Sequence, residues 1–421
     1  PVWLPKLYKG KEKTFFFVSW EGIRNKDPRA GVRSLPDSLE RQGDFTGSFT
    51  TQTVGGNRVV IPITIFDPLS VDSHRTITNA NGASATNPQF GHRQPFPGNR
   101  IPANRISPIA QNILKFVPMP NTVPQPTSNT ANNFTPSSTR QNKMASFLTR
   151  VDHNWDQKHK SFVSIRWNHM DEFTGNDFAN ETTGNFLTRI NRGAGVDHVW
   201  VQGPARVLNL RFNLTRFEEP GYDNGSGFNP ADLGFSSKYV SLMEKLSFPR
   251  ITGLFGDIGG SAGNYTHTTY YNWNANVTEI RGNLTLKYGG EYRVLQEATA
   301  GYGNQSGQFD FNSNWTRRRF DAGETGYGST MASFLLGMPG GGSFPRNTSA
   351  FDSQRYMGVF AQGDWRVSQK LTVNVGLRWD YQRPFIERFN RRVSDFDPTA
   401  VNPISASAQA AYASVMKTVL A

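Results

Sequence analysis

Unbroken alternation of apolar and polar side chains leaves a chain few ways to fold, and this sequence alternates again and again over about ten residues at a time. The clearest stretch is Leu371 to Gln382. Leu371, Val373, Val375, Leu377, Trp379 and Tyr381 make one set; Thr372, Asn374, Gly376, Arg378, Asp380 and Gln382 make the other. Successive strand side chains point to opposite faces, so this segment reads as a strand with an oily side and a wet side. The same pattern sets Leu208, Leu210, Phe212 and Leu214 against Asn209, Arg211, Asn213 and Thr215 within 206–217. It recurs in 284–294, 271–279, 161–169 and 357–366, and more weakly in 14–24, 146–155 and 194–202. That gives about nine strands by period.

The connections narrow the choice further. Those at 156–159, 203–205, 281–283 and 368–370 are short enough for hairpin turns. The others, 25–143, 169–193, 218–268 and 298–353, are long, and long and short alternate along the chain. In an up-and-down meander this puts every tight turn at one end and every long loop at the other. Compact domains rarely hold unstructured loops of such length. Transmembrane β-barrels do, with short turns on one side and long extracellular loops on the other. A soluble β-sandwich also alternates, but it seldom segregates its long loops so completely.

Composition agrees with this. Only 36% of the 421 residues are hydrophobic, yet 13% are aromatic, and no run is long enough for a membrane helix. Trp155, Trp167, Tyr271, Tyr292, Trp365, Trp379 and Tyr381 lie near strand ends, where interfacial girdles place amphipathic rings. The net charge of +12 comes from scattered Lys and Arg, so it does not make a nucleic-acid surface. The expected fold is all-β: part of an up-and-down antiparallel transmembrane barrel, with long extracellular loops holding one or two short helices.

The wet faces are strongly charged. Arg150, Asp152, Arg166, Arg211, Lys287, Glu291, Arg293, Asp364, Arg366, Arg378 and Asp380 are the expected lumen lining, and arginines among them are candidates for holding an anionic ligand. The plainer reading pairs them with Asp152, Glu291, Asp364, Asp380 or a plug. A narrow barrel would have to pair them all, whereas a wide one can hydrate them. About nine is also odd, while single-chain bacterial barrels have even strand numbers, so further strands are expected. Pro1 and the Ala-rich pattern of 405–421 fit an internal piece of a longer chain.

The expected organisation is an early strand and its preceding turn in 1–24, a long loop over 25–143, strands with long loops over 144–382, and a loop or helical end over 383–421. Within the first loop one helix is well signalled near 107–117. Ser107 can cap it, Pro108 suits its first position, and Ile109, Ile113, Phe116 and Val117 share a face. A second short helix is expected over 329–336.

No chemistry-bearing motif survives weighing. Gly259-Gly260-Ser261-Ala262-Gly263 has the spacing of a nucleophile elbow but no strand-to-helix context, and reads as a loop tip. The seven His show no metal-ligand spacing, and with no Cys there is no thiolate chemistry. Trp315 to Phe320 sets aromatics beside arginines, a mixture that can stack nucleic-acid bases but equally packs a long loop. No catalytic residue, cofactor, metal or nucleic-acid partner is expected.

At this point the residues resemble a known family. Lys13 to Gly22 (KTFFFVSWEG) is similar to an early barrel strand of the Oar-like TonB-dependent outer-membrane receptors, abundant in acidobacteria. So are 95–108 (PFPGNRIPANRISP), 150–155 (RVDHNW), 332–337 (ASFLLG) and 358–367 (GVFAQGDWRV), the last running on into the strand 371–381. Gly363 departs from the pattern, standing where an acidic residue is common. The resemblance implies a barrel of about 22 strands, a plug carrying a TonB box, and a location in the outer membrane. It also implies contact with outer-membrane lipid and with the TonB energy-coupling complex through the plug. The implied activity is movement of a bulky extracellular ligand through the plugged lumen. A surface-exposed glycan-binding or adhesin-like β protein is the alternative.

Overall fold

Nine long strands, numbered β1 to β9, dominate the computed structural model, which describes residues 2–4, 6, 8–70, 76–78, 84–86, 92–320, 323–346, 349–392, 397–401 and 405–420. They are Thr14–Arg29, Ser138–Asn154, His159–Thr174, Asn185–Gly203, Arg206–Asp223, Asn264–Arg281, Leu284–Gly301, Ala350–Ser368 and Leu371–Gln382. Each pairs antiparallel with its neighbour in sequence, so the sheet is a plain meander from β1 to β9. The short strand Ile386–Glu387 continues the line of β9 against Asp352 and Ser353 of β8. The sheet does not close on itself among the described residues: β1 and β9 are its two edges.

All nine segments marked by alternation are strands, but most are longer than the pattern suggested. β1 runs to Arg29 rather than stopping near residue 24, and β2 starts at Ser138 rather than near 146. Most of the added residues lie at the long-loop end. Where both faces of a strand are wet, alternation fades while backbone pairing continues.

Register fixes the faces. One cross-strand row reads Trp200, Leu208, Val277, Tyr288, Ala361 and Leu377. A row on the other face reads Asp152, Phe162, Asp197, Arg211, Asn274, Glu291, Gly358 and Asp380. The apolar face is uncovered: Leu377 is 79% exposed and Trp20 71%. The chain presents 25736 Å² of accessible surface; a compact monomer of this mass would present roughly 16,000 Å².

The hydrophobic core lies in the long connections, not the sheet. The loops, here L1 (30–137), L2 (175–184), L3 (224–263) and L4 (302–349), share one buried cluster. L1 contributes Leu35, Phe45, Ile65 and Ile113; L2 contributes Phe178; L3 contributes Leu233, Phe248 and Phe255; L4 contributes Met331, Phe334 and Leu335. They form a single cap at one end of the sheet. Two of its short helices are those the sequence signalled. Helix Pro108–Leu114 is capped by Ser107, whose side chain accepts from the Ala110 amide, and it buries Ala110, Ile113 and Leu114. Helix Thr330–Leu335 is capped by Ser329 in the same way and buries Met331 to Leu335. Hydrogen bonds tie loop to loop: Ser107 N donates to Leu335 O at 2.7 Å, Thr64 N to Gly326 O at 2.7 Å, and Asn180 Nδ2 to Phe116 O at 2.7 Å. Arg33 bridges L1 to L2 and L3, through a 2.6 Å ion pair with Asp177 and a 2.7 Å bond to Phe255 O. A separate helix, Ser405–Leu420, ends the described chain.

Candidate functional site

All eleven charged residues singled out from the sequence stand on one face, because register gives them a single parity across the six strands that carry them. Arg150 and Asp152 lie opposite Ser164 and Phe162; Arg166 opposite Gly193; Arg211 opposite Asp197. Lys287, Glu291 and Arg293 lie opposite Gln362, Gly358 and Tyr356, and Asp364 and Arg366 opposite Asn374 and Thr372. Arg378 and Asp380 lie opposite Phe360 and Gly358.

Much of this charge is neutralised locally. Residues two apart on a strand share a face, and three such couples form ion pairs: Arg150–Asp152 at 2.6 Å, Glu291–Arg293 at 2.5 Å and Arg378–Asp380 at 3.0 Å. Arg211 reaches across to Asp197 at 2.7 Å. Asp197 is buried and stands outside the eleven expected lumen residues, although its alternation with His198 puts it on their face. Tyr356 links two couples: its ring lies 4.6 Å from the Arg293 guanidinium, its hydroxyl donates to Asp380, and Arg378 donates back to that hydroxyl at 2.7 Å. Arg150 also covers the Phe162 ring at 3.7 Å.

Three cations are left without a carboxylate among the described residues. Arg166 donates to the Thr215 hydroxyl, while Lys287 and Arg366 have no ion pair. Lys287 lines a concavity of about 650 Å³ on the polar face with Asn209, Asn276, Thr278, Gln362 and Arg378. That is a wet, amide-rich, net basic surface, suited to polar or anionic groups.

The cap holds a second cavity of about 710 Å³, in the range of small-molecule sites. L1 supplies Leu35, Glu40, Phe49 and Asn129, L3 supplies Leu254 and Phe255, and L4 supplies Ser329 and Met331. Glu40 is buried there and accepts from Ser48 Oγ at 2.8 Å and Asn129 Nδ2 at 2.9 Å. Burial pushes its carboxyl above the ordinary value, against the lowering effect of those two donors. A folded-state pKa raised above the unfolded 4.5 means the folded cap holds the proton more tightly. Cap stability is therefore greatest below that value and falls as pH rises through the raised pKa. Glu40→Gln keeps the acceptor oxygen and removes the charge. It is expected to flatten this dependence, read as amide hydrogen exchange in L1 between pH 4 and pH 7; an unchanged slope would assign it to another group.

Other signals fall where chemistry is not assembled. Gly259 to Gly263 is a loop followed by strand β6, and the Ser261 amide donates to Asp223. Gly259 has φ +70°, and a Cβ there would meet Pro249 O at 2.0 Å, so glycine is needed for the turn. Trp315 donates to Pro339 O at 2.9 Å and packs edge-on against Phe320, with Arg93 over both rings, so this aromatic-basic segment packs L4. His159 stacks on Trp200 and His198 on the apolar side near the short turns, and His153 bonds Thr14 Oγ1 at 2.7 Å. Among the described residues no group of three or more His, Asp or Glu is placed to hold a metal ion.

The apolar faces match a membrane in height. From Leu371 to Tyr381 is ten residues, which at ~3.3 Å each and ~40° of tilt span about 25 Å. An oily band of that height, aromatic rings at its borders, a charged opposite face and a loop cap at one end define an outer-membrane β-barrel. The chain belongs to the outer membrane beta-barrel domain family, whose model matches residues 1–419, and it is a protein of the outer membrane. Among solved structures it is similar to the outer membrane transporter YddB from Escherichia coli, at 10% identity and a TM-score of 0.39. The match covers 63% of this chain and 30% of that one. No curated protein sequence matches it.

Proposed function

We propose that the chain is the barrel segment of an Oar-like, TonB-dependent transporter that moves a bulky ligand through a plugged lumen. The observation that carries this reading is the charge on one face of the sheet. Arg166, Lys287 and Arg366 keep no carboxylate partner among the described residues. A narrow barrel packed with its own side chains cannot tolerate such unpaired cations, while a wide lumen hydrates them or sets them against a plug. Under this proposal the cap and its cavity capture ligand before passage, and the lumen lining serves passage. In this reading the TonB complex acts through a plug supplied by the longer protein.

The test is ligand uptake by cells carrying the full-length protein, with and without TonB, following depletion of an extracellular mixture of peptides, oligosaccharides and iron chelates. Depletion of at least one class that requires both the protein and TonB is expected. Depletion indifferent to TonB would overturn energy coupling. Surface retention without uptake would favour the adhesin-like alternative.

A further inference from the structure

Above the aromatic border of the apolar face, three arginines meet. Arg383 continues the line of β9, its amide donating to Arg355 O at 2.9 Å, and Arg388 follows with its amide on Phe351 O at 2.8 Å. Register puts Phe351, Ser353 and Arg355 of β8 on the same face as Met357, Val359 and Trp365, the lipid side. The Arg355, Arg383 and Arg388 side chains line one cavity of about 360 Å³ with Gln296 and Ser353, and no carboxylate lines it. None of the three forms an ion pair among the described residues; Arg388 lies over the Phe351 and Phe389 rings at 5.4 and 5.6 Å. The neighbouring acids are engaged elsewhere, Glu387 with Arg391 and Asp352 with Arg392.

A second feature begins two residues below Arg355 on the same face. Met357 and Val359 border an apolar groove of about 590 Å³ that runs over Ala275 and Gly290, beside the paired Trp273 and Tyr292 rings 5.8 Å apart. Its floor is low because two neighbouring strands carry Ala275 and Gly290 directly opposite each other. The two sites share no lining residue, but Val359 of the groove stands four residues from Arg355, ~13 Å along the strand, so a head group held by the arginines leaves its acyl chain within reach of the groove, and both face lipid.

We propose that Arg355, Arg383 and Arg388 bind the phosphate of a phosphorylated lipid in the outer leaflet, with an acyl chain lying in the groove beside Gly290. Clustered arginines suit phosphate through bidentate bonds, and basic pockets at membrane level recruit anionic head groups. This site faces away from the lumen and stands independently of any transport reading.

The experiment uses the full-length protein in nanodiscs of neutral phosphatidylcholine doped with bisphosphorylated lipid A. Retained lipid A is counted by native mass spectrometry after transfer to detergent. Wild type is expected to retain lipid A, and the Arg355→Gln, Arg383→Gln, Arg388→Gln triple variant to retain at least tenfold less. The corresponding Arg→Lys triple should recover part of the binding, which separates lost charge from misfolding. Gly290→Leu, which fills the groove and spares the arginines, should also lower retention. Equal retention by wild type and the Gln triple would overturn the site. Displacement of lipid A by millimolar inorganic phosphate, with Gly290→Leu behaving as wild type, would overturn the lipid and leave a free-phosphate site.

Discussion

Replacing Phe334 with Ala is expected to loosen the whole cap and leave the sheet intact. Phe334 is 1% exposed in helix Thr330–Leu335, edge-on to Phe255 of L3 at 5.4 Å and to Phe311 of L4 at 5.2 Å. Truncating a buried Phe to Ala costs about 3–5 kcal/mol, from lost burial and the cavity left behind. Amide protection in the cap should fall by about two to three and a half orders of magnitude, since each 1.4 kcal/mol is roughly tenfold. The diagnostic point is where it falls. If L1, L3 and L4 share one core, protection drops together around Leu35, Phe248 and Leu335, while amides of β6 and β7 do not change. A loss confined to L4 would mean that the loops fold separately.

The second large effect depends on parity alone. Ala275 and Asn274 are adjacent on β6, yet Ala275 stands in the apolar row with Leu210 and Gly290, and Asn274 in the wet row with Arg211 and Glu291. Ala275→Arg places a cation near the middle of the lipid band and should cost about 2–4 kcal/mol. Asn274→Arg places the same cation beside Glu291 and should change stability by less than about 1 kcal/mol. Reversible urea unfolding of the full-length protein in lipid vesicles measures both. Equal costs would mean that the two faces have been assigned to the wrong sides.

The difference between these residues also explains what the sequence disclosed. The nine strands were legible because a bilayer on one side and water on the other impose a period of two, as in Leu371 to Tyr381. The charged face followed from the same parity, and so did the ion pairs two residues apart. Where the membrane ends, that pressure ends: Asn185 to Asn191 belongs to β4 but does not alternate cleanly. The cap was hidden for a different reason. Its core residues come singly, as Phe45, Phe96, Phe248 and Phe255, between glycines, prolines and asparagines, with no period to connect them. One clue was present. The helix capped by Ser107 has an apolar face, and an apolar face inside a long connection requires something to cover it.

The shared core of the four loops also sets an order of events. Leu35, Ile113, Phe248 and Phe334 meet although some 300 residues separate the first from the last. A free chain would lose much entropy closing loops of that length. Once adjacent hairpins have zipped, the loop stumps emerge side by side at strand spacing, ~4.8 Å apart, and most of that loss has already been met. The sheet is then a template and the cap the last part to set, a late step whose rate depends on strand pairing several nanometres away.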